Sequence, residues 1–220
     1  MKSEFLISGI ETGKLNAMVK NIMIQTGITE PEEAVRMVNA GEVQISAVIK
    51  SKWIEKDSVI RFSVASDGTT GEQWIARLES EGLRVGDSAR SVLRSKDFKP
   101  TNGIIYEIAV LRGELFSDSD RISKTIRKEA KNLKLSTPNA EIACLIREKF
   151  SDKELEAMSL YWVVAMHEPI KDSDDNPRLL NASRGGNGSW LFTRYGSPDI
   201  RWEFSNGFAF VVRQVSVSNF

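Results

Sequence analysis

The sequence predicts an α+β protein, helix-rich over residues 1–159 and β- and loop-rich over residues 160–220. Three observations carry this. Between Leu15 and Phe150, apolar residues recur repeatedly at helical spacing behind capping signals. Two runs, Val59–Val64 and Ile104–Leu111, break that period and read as strands. After Leu160 no helical period appears, and glycine, aromatics, Asn, Ser and Arg accumulate up to the apolar strand Gly207–Val212.

Leu15, Met18, Val19, Ile22 and Met23 fall on one helix face, and Gly27 is a natural terminator. Thr29 caps a second helix: Pro31 and the acids Glu30, Glu32 and Glu33 suit a first turn, where the dipole favours negative charge. Ala34, Val35 and Val38 form its expected inner face, and Gly41 ends it. Val43–Ile45 and Val59–Val64 then alternate, and Ser66-Asp67-Gly68 stops the second run. The change in composition there predicts a small N-terminal α/β unit, 1–66, ahead of a main α+β domain, 67–220.

Thr69 and Thr70 open a helix that turns Trp74, Ile75 and Leu78 inward and stops at Gly82. Another follows from Gly86 to Arg94, and Ile104–Leu111 is apolar enough for a sheet centre. Ser119 or Asp120 opens a helix through Lys134, with Ile122, Ile126, Ala130 and Leu133 on one side. Pro138-Asn139 restarts helix through Phe150, and Ser151 with Glu154 forms a capping box for a short helix to Met158. Leu160–Met166 is the next strand.

At 220 residues and 41% hydrophobic, the chain can bury a sizeable core. Thirty basic residues balance thirty acidic ones. That argues against general polyanion binding, which needs an excess of Lys and Arg to displace counterions. The single cysteine, Cys144, excludes an internal disulfide and sits in an apolar run, as a small buried hydrophobe would. The start of the chain lacks a secretory signal pattern, and no apolar run approaches the ~20 residues of a membrane span. A cytoplasmic protein is expected, with later export by another route left open, and no cofactor is implied.

Four constellations bear on chemistry. His167 and Glu168, followed by Asp172, Asp174, Asp175 and Asn176, suggest a metal-dependent enzyme centred on His167, Glu168 and Asp172, with Asp174 as a further ligand. The run imitates the start of a calcium loop but places Pro177 where glycine is needed and Ser183 where a bidentate Glu is needed. Ser189 lacks the strand–turn–helix setting of a hydrolase nucleophile. Gly185–Gly188 could cradle phosphate only with a helix behind it, and aromatics follow instead. The basic residues Arg84, Arg90, Arg94, Lys96 and Lys99, and those from Lys124 to Lys134, are interspersed with acids, so solvated helix faces fit better than a nucleic-acid patch.

The region 179–212 differs from all of these. Tyr, Ser, Asn, Asp, Gly and Arg dominate it, the mixture that recognition surfaces favour because aromatics give area at low entropy cost. The same mixture also suits ordinary loops of an aromatic-rich β fold. The order Arg184, Gly185-Gly186, Ser189-Trp190, Arg201, Gly207-Phe208 and Val211-Val212 resembles the C-terminal signature of C-type-lectin-like domains. That signature is shared by formylglycine-generating-enzyme-like domains and the variable proteins of diversity-generating retroelements. The blocks TTGEQWI, SKDFKPTNG and HEPIKDSD further resemble a bacterial family whose members differ mainly in this C-terminal tract. Asn187-Gly188 is an insertion relative to the signature, and Ala209 stands where it has arginine.

The resemblance implies a C-terminal lectin-like lobe that displays a diversified surface to a protein or glycan ligand. The scaffold would be Arg184, Gly185, Gly186, Gly188, Trp190, Gly207, Phe208 and Phe210. The displayed, ligand-binding residues would be Asn181, Ser183, Asn187, Phe192, Arg194, Tyr195, Ser197, Asp199, Arg201, Glu203, Ser205 and Asn206. The cysteines used by formylglycine-generating enzymes are absent, so that activity is not implied.

Overall fold

A computed structural model describes residues 19, 20, 23, 27–40, 51–185 and 187–216. The chain divides into two compact units, Met1–Lys50 and Ser51–Phe220. In the first, helix α1 (Pro31–Asn39) carries Glu32 and Glu33 in its first turn. Ala34 is buried as expected, but Val35 is 44% exposed and does not belong to an inner face. The expected strand Val43–Ile45, and most of the expected helix 15–27, lie outside the described residues.

The second unit is α+β. It runs β1 (Ile54–Lys56), β2 (Val59–Asp67), α2 (Gly71–Ser80), β3 (Arg84–Val85), α3 (Asp87–Arg94), β4 (Asn102–Arg112) and a 3₁₀ turn (Gly113–Leu115). Then come α4 (Ser123–Asn132), α5 (Glu141–Lys149), α6 (Asp152–Ala157), β5 (Trp162–Ala165), β6 (Ile170–Lys171), β7 (Pro177–Gly185), β8 (Gly188–Tyr195) and β9 (Asn206–Ser216). These strands form one mixed sheet, ordered β1-β2-β4-β9-β5-β7-β8-β3, with β6 beside β7. The β5–β9 and β3–β8 pairs are parallel, and the other pairs are antiparallel. The unit begins ahead of the boundary expected at residue 66 because β2 pairs with β4 from Val59↔Leu111 to Asp67↔Asn102. The first long strand therefore cannot be cut from the main domain.

The capping signals act where the residues place them. The Thr70 hydroxyl accepts from the Gln73 N–H while the Gln73 side chain accepts from the Thr70 N–H, and Ser151 with Glu154 repeats the box at α6. Helix α4 starts at Ser123 rather than at Ser119 or Asp120. Ser117 donates to Asp120 at 2.7 Å in a preceding turn, and Ile122 is held in an extended bridge opposite Arg201. Leu133, expected on its inner side, is 48% exposed just past the helix end.

Strand alternation sorts the core onto two faces of the sheet. On one face Ile60, Phe62, Ile108, Val110, Val163, Leu180, Leu191 and Val211 meet Trp74, Ile75, Leu78, Val92, Leu93, Ile142 and Ile146 of α2, α3 and α5. On the other, Leu111, Val164, Leu179, Phe208 and Phe210 meet Ile126 and Ala130 of α4, with Phe116 and Trp202 closing the cluster. Phe208 is wedged between edge-on rings, 6.2 Å from Phe116 and 5.7 Å from Trp202. The first face is covered from β2 to β8. Among the described residues of this unit, the second is covered only where α4 and its neighbouring loops reach.

Arg147 joins the helical layer to the far strands. Its side chain is buried in α5, and it donates to the Ser183 carbonyl at 3.0 Å and to the Phe150 carbonyl. It also pairs with Asp152 at 3.0 Å. Removing it strands two carbonyls and an acid at once, so R147A should cost about 3–5 kcal/mol of stability in urea unfolding. A loss below about 1 kcal/mol would show that the sheet ladder and apolar packing hold β7 without Arg147.

Candidate ligand-binding face

The half-covered side of the sheet is where the C-terminal residues converge. In β8, Leu191 and Thr193 turn toward the helices and are buried, so Trp190, Phe192 and Arg194 turn the other way. In register with them lie Ser183, Asn181 and Leu179 of β7. Beyond these, Trp162 and Val164 of β5 pair with Ser183 and Asn181. No helix of the second unit packs over the Trp190–Trp162 part of this surface among its described residues.

The aromatics there interlock with arginines. Arg84 lies 5.3 Å above the Trp190 ring, and Trp190 meets Phe192 edge-on at 6.3 Å. Arg194 leaves β8 opposite Leu179 and ends 3.6 Å from the centre of the Trp162 ring, so its side chain crosses β7. Burial lowers the proton affinity of this guanidinium, and Tyr161 offsets part of that effect. Asn181 lies on the strand being crossed. It is 1% exposed, yet neither its amide nitrogen nor its amide oxygen has a hydrogen-bond partner, and Arg194 Nε is also unpaired. An unsatisfied buried polar group costs about 1–3 kcal/mol, so two such groups on one side chain are a marked departure from folding economy.

A tight hairpin joins β7 to β8, closing on Gly185↔Gly188 with Asn187 exposed at its tip. Gly188 has φ +122°, and a Cβ there would reach within 3.4 Å of Arg84. Arg184 braces the hairpin by donating to the Leu160 carbonyl at 2.8 Å and pairing with Glu156 at 3.1 Å. Gly186 lies outside the described residues.

The loop from Gly196 to Ser205 lies on the same side of the sheet, since its Trp202 packs on Phe208. It is fixed firmly. Trp202 is buried and donates through Nε1 to the Ser123 hydroxyl at 3.0 Å, and its backbone N–H donates to the Arg121 carbonyl. Arg121 in turn donates to the carbonyls of Gly113 and Phe116. Asp199, Arg201 and Glu203 are exposed and Ser197 and Ser205 half-buried, with Lys124 pairing Asp199 at 2.8 Å.

The twelve residues expected to be displayed therefore separate. Phe192, Arg194 and the floor residues Asn181 and Ser183 share the uncovered face; Asn187 caps the hairpin; Ser197, Asp199, Arg201, Glu203 and Ser205 lie on the loop. Tyr195 departs from the pattern. It points to the helical side, with Arg178 4.3 Å above its ring. Asn206 is buried and its side-chain oxygen accepts from the Glu203 N–H at 2.9 Å, so it shapes the turn instead of facing a ligand. Trp190, expected among the scaffold residues, lies half-buried on the uncovered face, whereas Phe208 and Phe210, in the expected apolar strand, are core. Gly207 belongs to the scaffold as well, because a Cβ there would meet Val110 at 2.6 Å. Trp162, Tyr161 and Arg84 complete the patch only through long-range pairing, and no local signal marks them.

The His167 constellation is a structural device and not a ligand set. Nε2 of His167 accepts from the Leu180 N–H at 3.0 Å, which fixes the proton on Nδ1, and Nδ1 donates to the Glu168 carbonyl at 2.6 Å. Both ring nitrogens are thus committed to backbone. Asp172 receives the N–H groups of Asp174 and Asn176 at 3.0 Å each and Arg178 at 2.5 Å. Burial raises its carboxyl, but these bonds outweigh burial and hold it below the usual range. Among the described residues no group of three His, Cys, Asp or Glu side chains could share a metal. The three arginines of the basic cluster are likewise engaged: Arg90 with Glu79, Arg94 with Glu72, Arg84 with Trp190. Cys144 is fully buried, and burial pushes its thiol well up. Among the described residues no helix is long and apolar enough to cross a membrane.

Burial lowers His167 from 6.5 to about 4, partly opposed by its bond to Glu168. Because the folded form resists protonation, its contribution is complete above pH 6.5 and is lost as pH falls toward 4. The gap corresponds to about 3 kcal/mol. Unfolding free energy should decline across that window, and H167Q should flatten the decline while lowering stability at neutral pH; an equally steep decline in H167Q would place the titrating group elsewhere. Comparison with protein-family models, curated proteins and solved structures gives no match.

Proposed function

We propose that this protein is a ligand-binding display protein, with the uncovered face of β7 and β8 and the adjoining loop 196–205 as its recognition surface. The ligand is a protein or glycan. The reading extends to a C-type-lectin-like variable protein of a diversity-generating retroelement, in which codons within 179–212 are diversified while the sheet is kept.

The single observation that carries the proposal is Asn181. A side chain with a free donor and a free acceptor, held beneath Arg194 and beside Trp162 and Phe192, has no use in the fold. Binding gives it one: a ligand that displaces the Arg194 side chain meets an amide able to donate and accept together, flanked by aromatic area. The division of labour along the strands supports the same reading. Leu180, Ala182, Leu191 and Thr193 serve the buried side, which leaves their neighbours on the open side less constrained. The backbone commitments of His167 take support from the alternative of a metal-dependent enzyme centred on His167, Glu168 and Asp172.

Two measurements test the proposal. Asn181→Leu keeps the shape and removes both unpaired atoms, so it should stabilise the protein by about 1–3 kcal/mol, seen as a rise in Tm. A fall in Tm would mean that the amide serves the fold. Sequencing the DNA around the gene should reveal a near-copy of codons 179–212 that differs at adenines. The differences are expected at positions such as Asn181, Asn187, Phe192, Arg194 and Asp199, sparing Leu180, Leu191, Trp202 and Phe208. Absence of such a copy would remove the diversification claim, and differences concentrated at the spared residues would contradict the assigned surface.

A further inference from the structure

Arginines and aromatic rings form one unbroken run across the uncovered face. Arg84 lies over Trp190 at 5.3 Å, Trp190 meets Phe192 at 6.3 Å, and Arg194 stands 5.7 Å from Phe192 and 3.6 Å from Trp162. Tyr161 continues the run at 5.5 Å from Trp162. Phe192 and Tyr161 are exposed and both tryptophans are half-buried, so the run reaches solvent along its length.

The charge in this run is of one sign. Among the described residues, neither Arg84 nor Arg194 has an ion pair or a hydrogen bond, whereas Arg184 at the hairpin is taken by Glu156. Arg84 is exposed. Arg194 is half-buried: its Nε is sealed off without a partner, while the two terminal nitrogens, equally unbonded, keep contact with solvent. No carboxylate offsets the burial that lowers its proton affinity. A guanidinium brings five N–H groups, and a partly desolvated one without an anion is costly. Two such cations with aromatic rings between them complement an anionic partner.

The stacking selects among anions. With an arginine over each tryptophan, a nucleobase or a sugar ring stacks on that face only after the arginine leaves. A carboxylate instead meets the guanidinium edge in its own plane, through two parallel N–H···O bonds, and leaves the ring contact standing. A polyol also needs a partner for each hydroxyl, and the polar floor between the tryptophans is closed, with Ser183 and Asn181 both buried. Aspartate or glutamate set among apolar side chains satisfies the charge and covers the rings together.

We infer that the partner of this face is an acidic protein segment: two of its carboxylates pair with Arg84 and Arg194, and its apolar side chains cover Trp190, Phe192 and Trp162. With the recognition surface taken as proposed above, its ligand narrows to one class.

The test is a selection of random peptides, displayed on phage, against the immobilised full chain. Enriched peptides should carry more than one Asp or Glu beside apolar residues. The leading peptide, made synthetically, should shift the Trp162 and Trp190 indole N–H resonances in ¹H–¹⁵N NMR. Its affinity should fall about tenfold or more between about 50 and about 500 mM NaCl. Arg84→Met and Arg194→Met keep the apolar stem and drop the charge, and each should weaken binding about tenfold. Replacing the acids of the peptide by their amides should do the same with the protein unchanged. The acidic segment is overturned, with the recognition surface left standing, if neutral or basic peptides are enriched and still shift both indoles, or if polygalacturonate shifts them and no peptide does. Acidic peptides indifferent to both arginine variants overturn it too. Selected peptides that shift neither indole, or no binder of either kind, contradict the surface itself.

Discussion

The arrangement depends on where β9 lies. The last described strand is inserted at the centre of the sheet, antiparallel to β4 from Ile104↔Ser216 to Arg112↔Gly207 and parallel to β5 from Trp162↔Asn206 to Ala165↔Ala209. Neither the front strands β1, β2 and β4 nor the back strands β5, β7 and β8 are joined without it. Gly207 permits the insertion, because Val110 and Leu160 occupy the space a side chain would need. Phe208 and Phe210 then anchor the α4 side while Ala209 and Val211 join the helical side. The C-terminal region is therefore part of a common sheet, and the recognition surface proposed for it rests on residues from the first half of the chain.

From that constraint the asymmetry of the two faces follows. Among the described residues of this unit, helices α2, α3 and α5 cover one side from β2 to β8, while the other side has α4 alone, whose Ile126 and Ala130 reach the central strands. The outer strands β7, β8 and β3 are left open there, and an open face can carry Trp, Phe and Arg without cost to the core. Arg147 ties the covered side to β7 through the Ser183 carbonyl, so the strand that carries the unpaired Asn181 is fixed from behind. A rigid floor beneath adaptable side chains is what preorganised recognition requires.

Much of the framework was legible in the residues. The boxes at Thr70 and Ser151, the inward set Trp74, Ile75 and Leu78, and the sheet-centre strand 104–111 follow from local chemistry and appear where that chemistry places them. The candidate face was legible only in part. Alternation marks Phe192 and Arg194 as facing away from Leu191 and Thr193, but which side is open depends on a helix some sixty residues upstream, α4 (Ser123–Asn132). Asn206 and Asn181 look alike in sequence, yet one closes a turn and the other has no partner. His167 reads as a metal ligand beside acids because sequence does not reveal that the Leu180 and Glu168 backbones occupy its two nitrogens.

The central claim is that the two sides of β7 and β8 carry different obligations, one to the fold and one to a ligand. The most direct measurement is a pair of saturation libraries scored by proteolysis for folded protein. One library would vary Asn187, Trp190, Phe192 and Arg194, and the other Leu180, Ala182, Leu191 and Thr193. The account predicts that most members of the first remain folded and most of the second do not. Equal intolerance in both libraries would contradict it, because the open face would then be core.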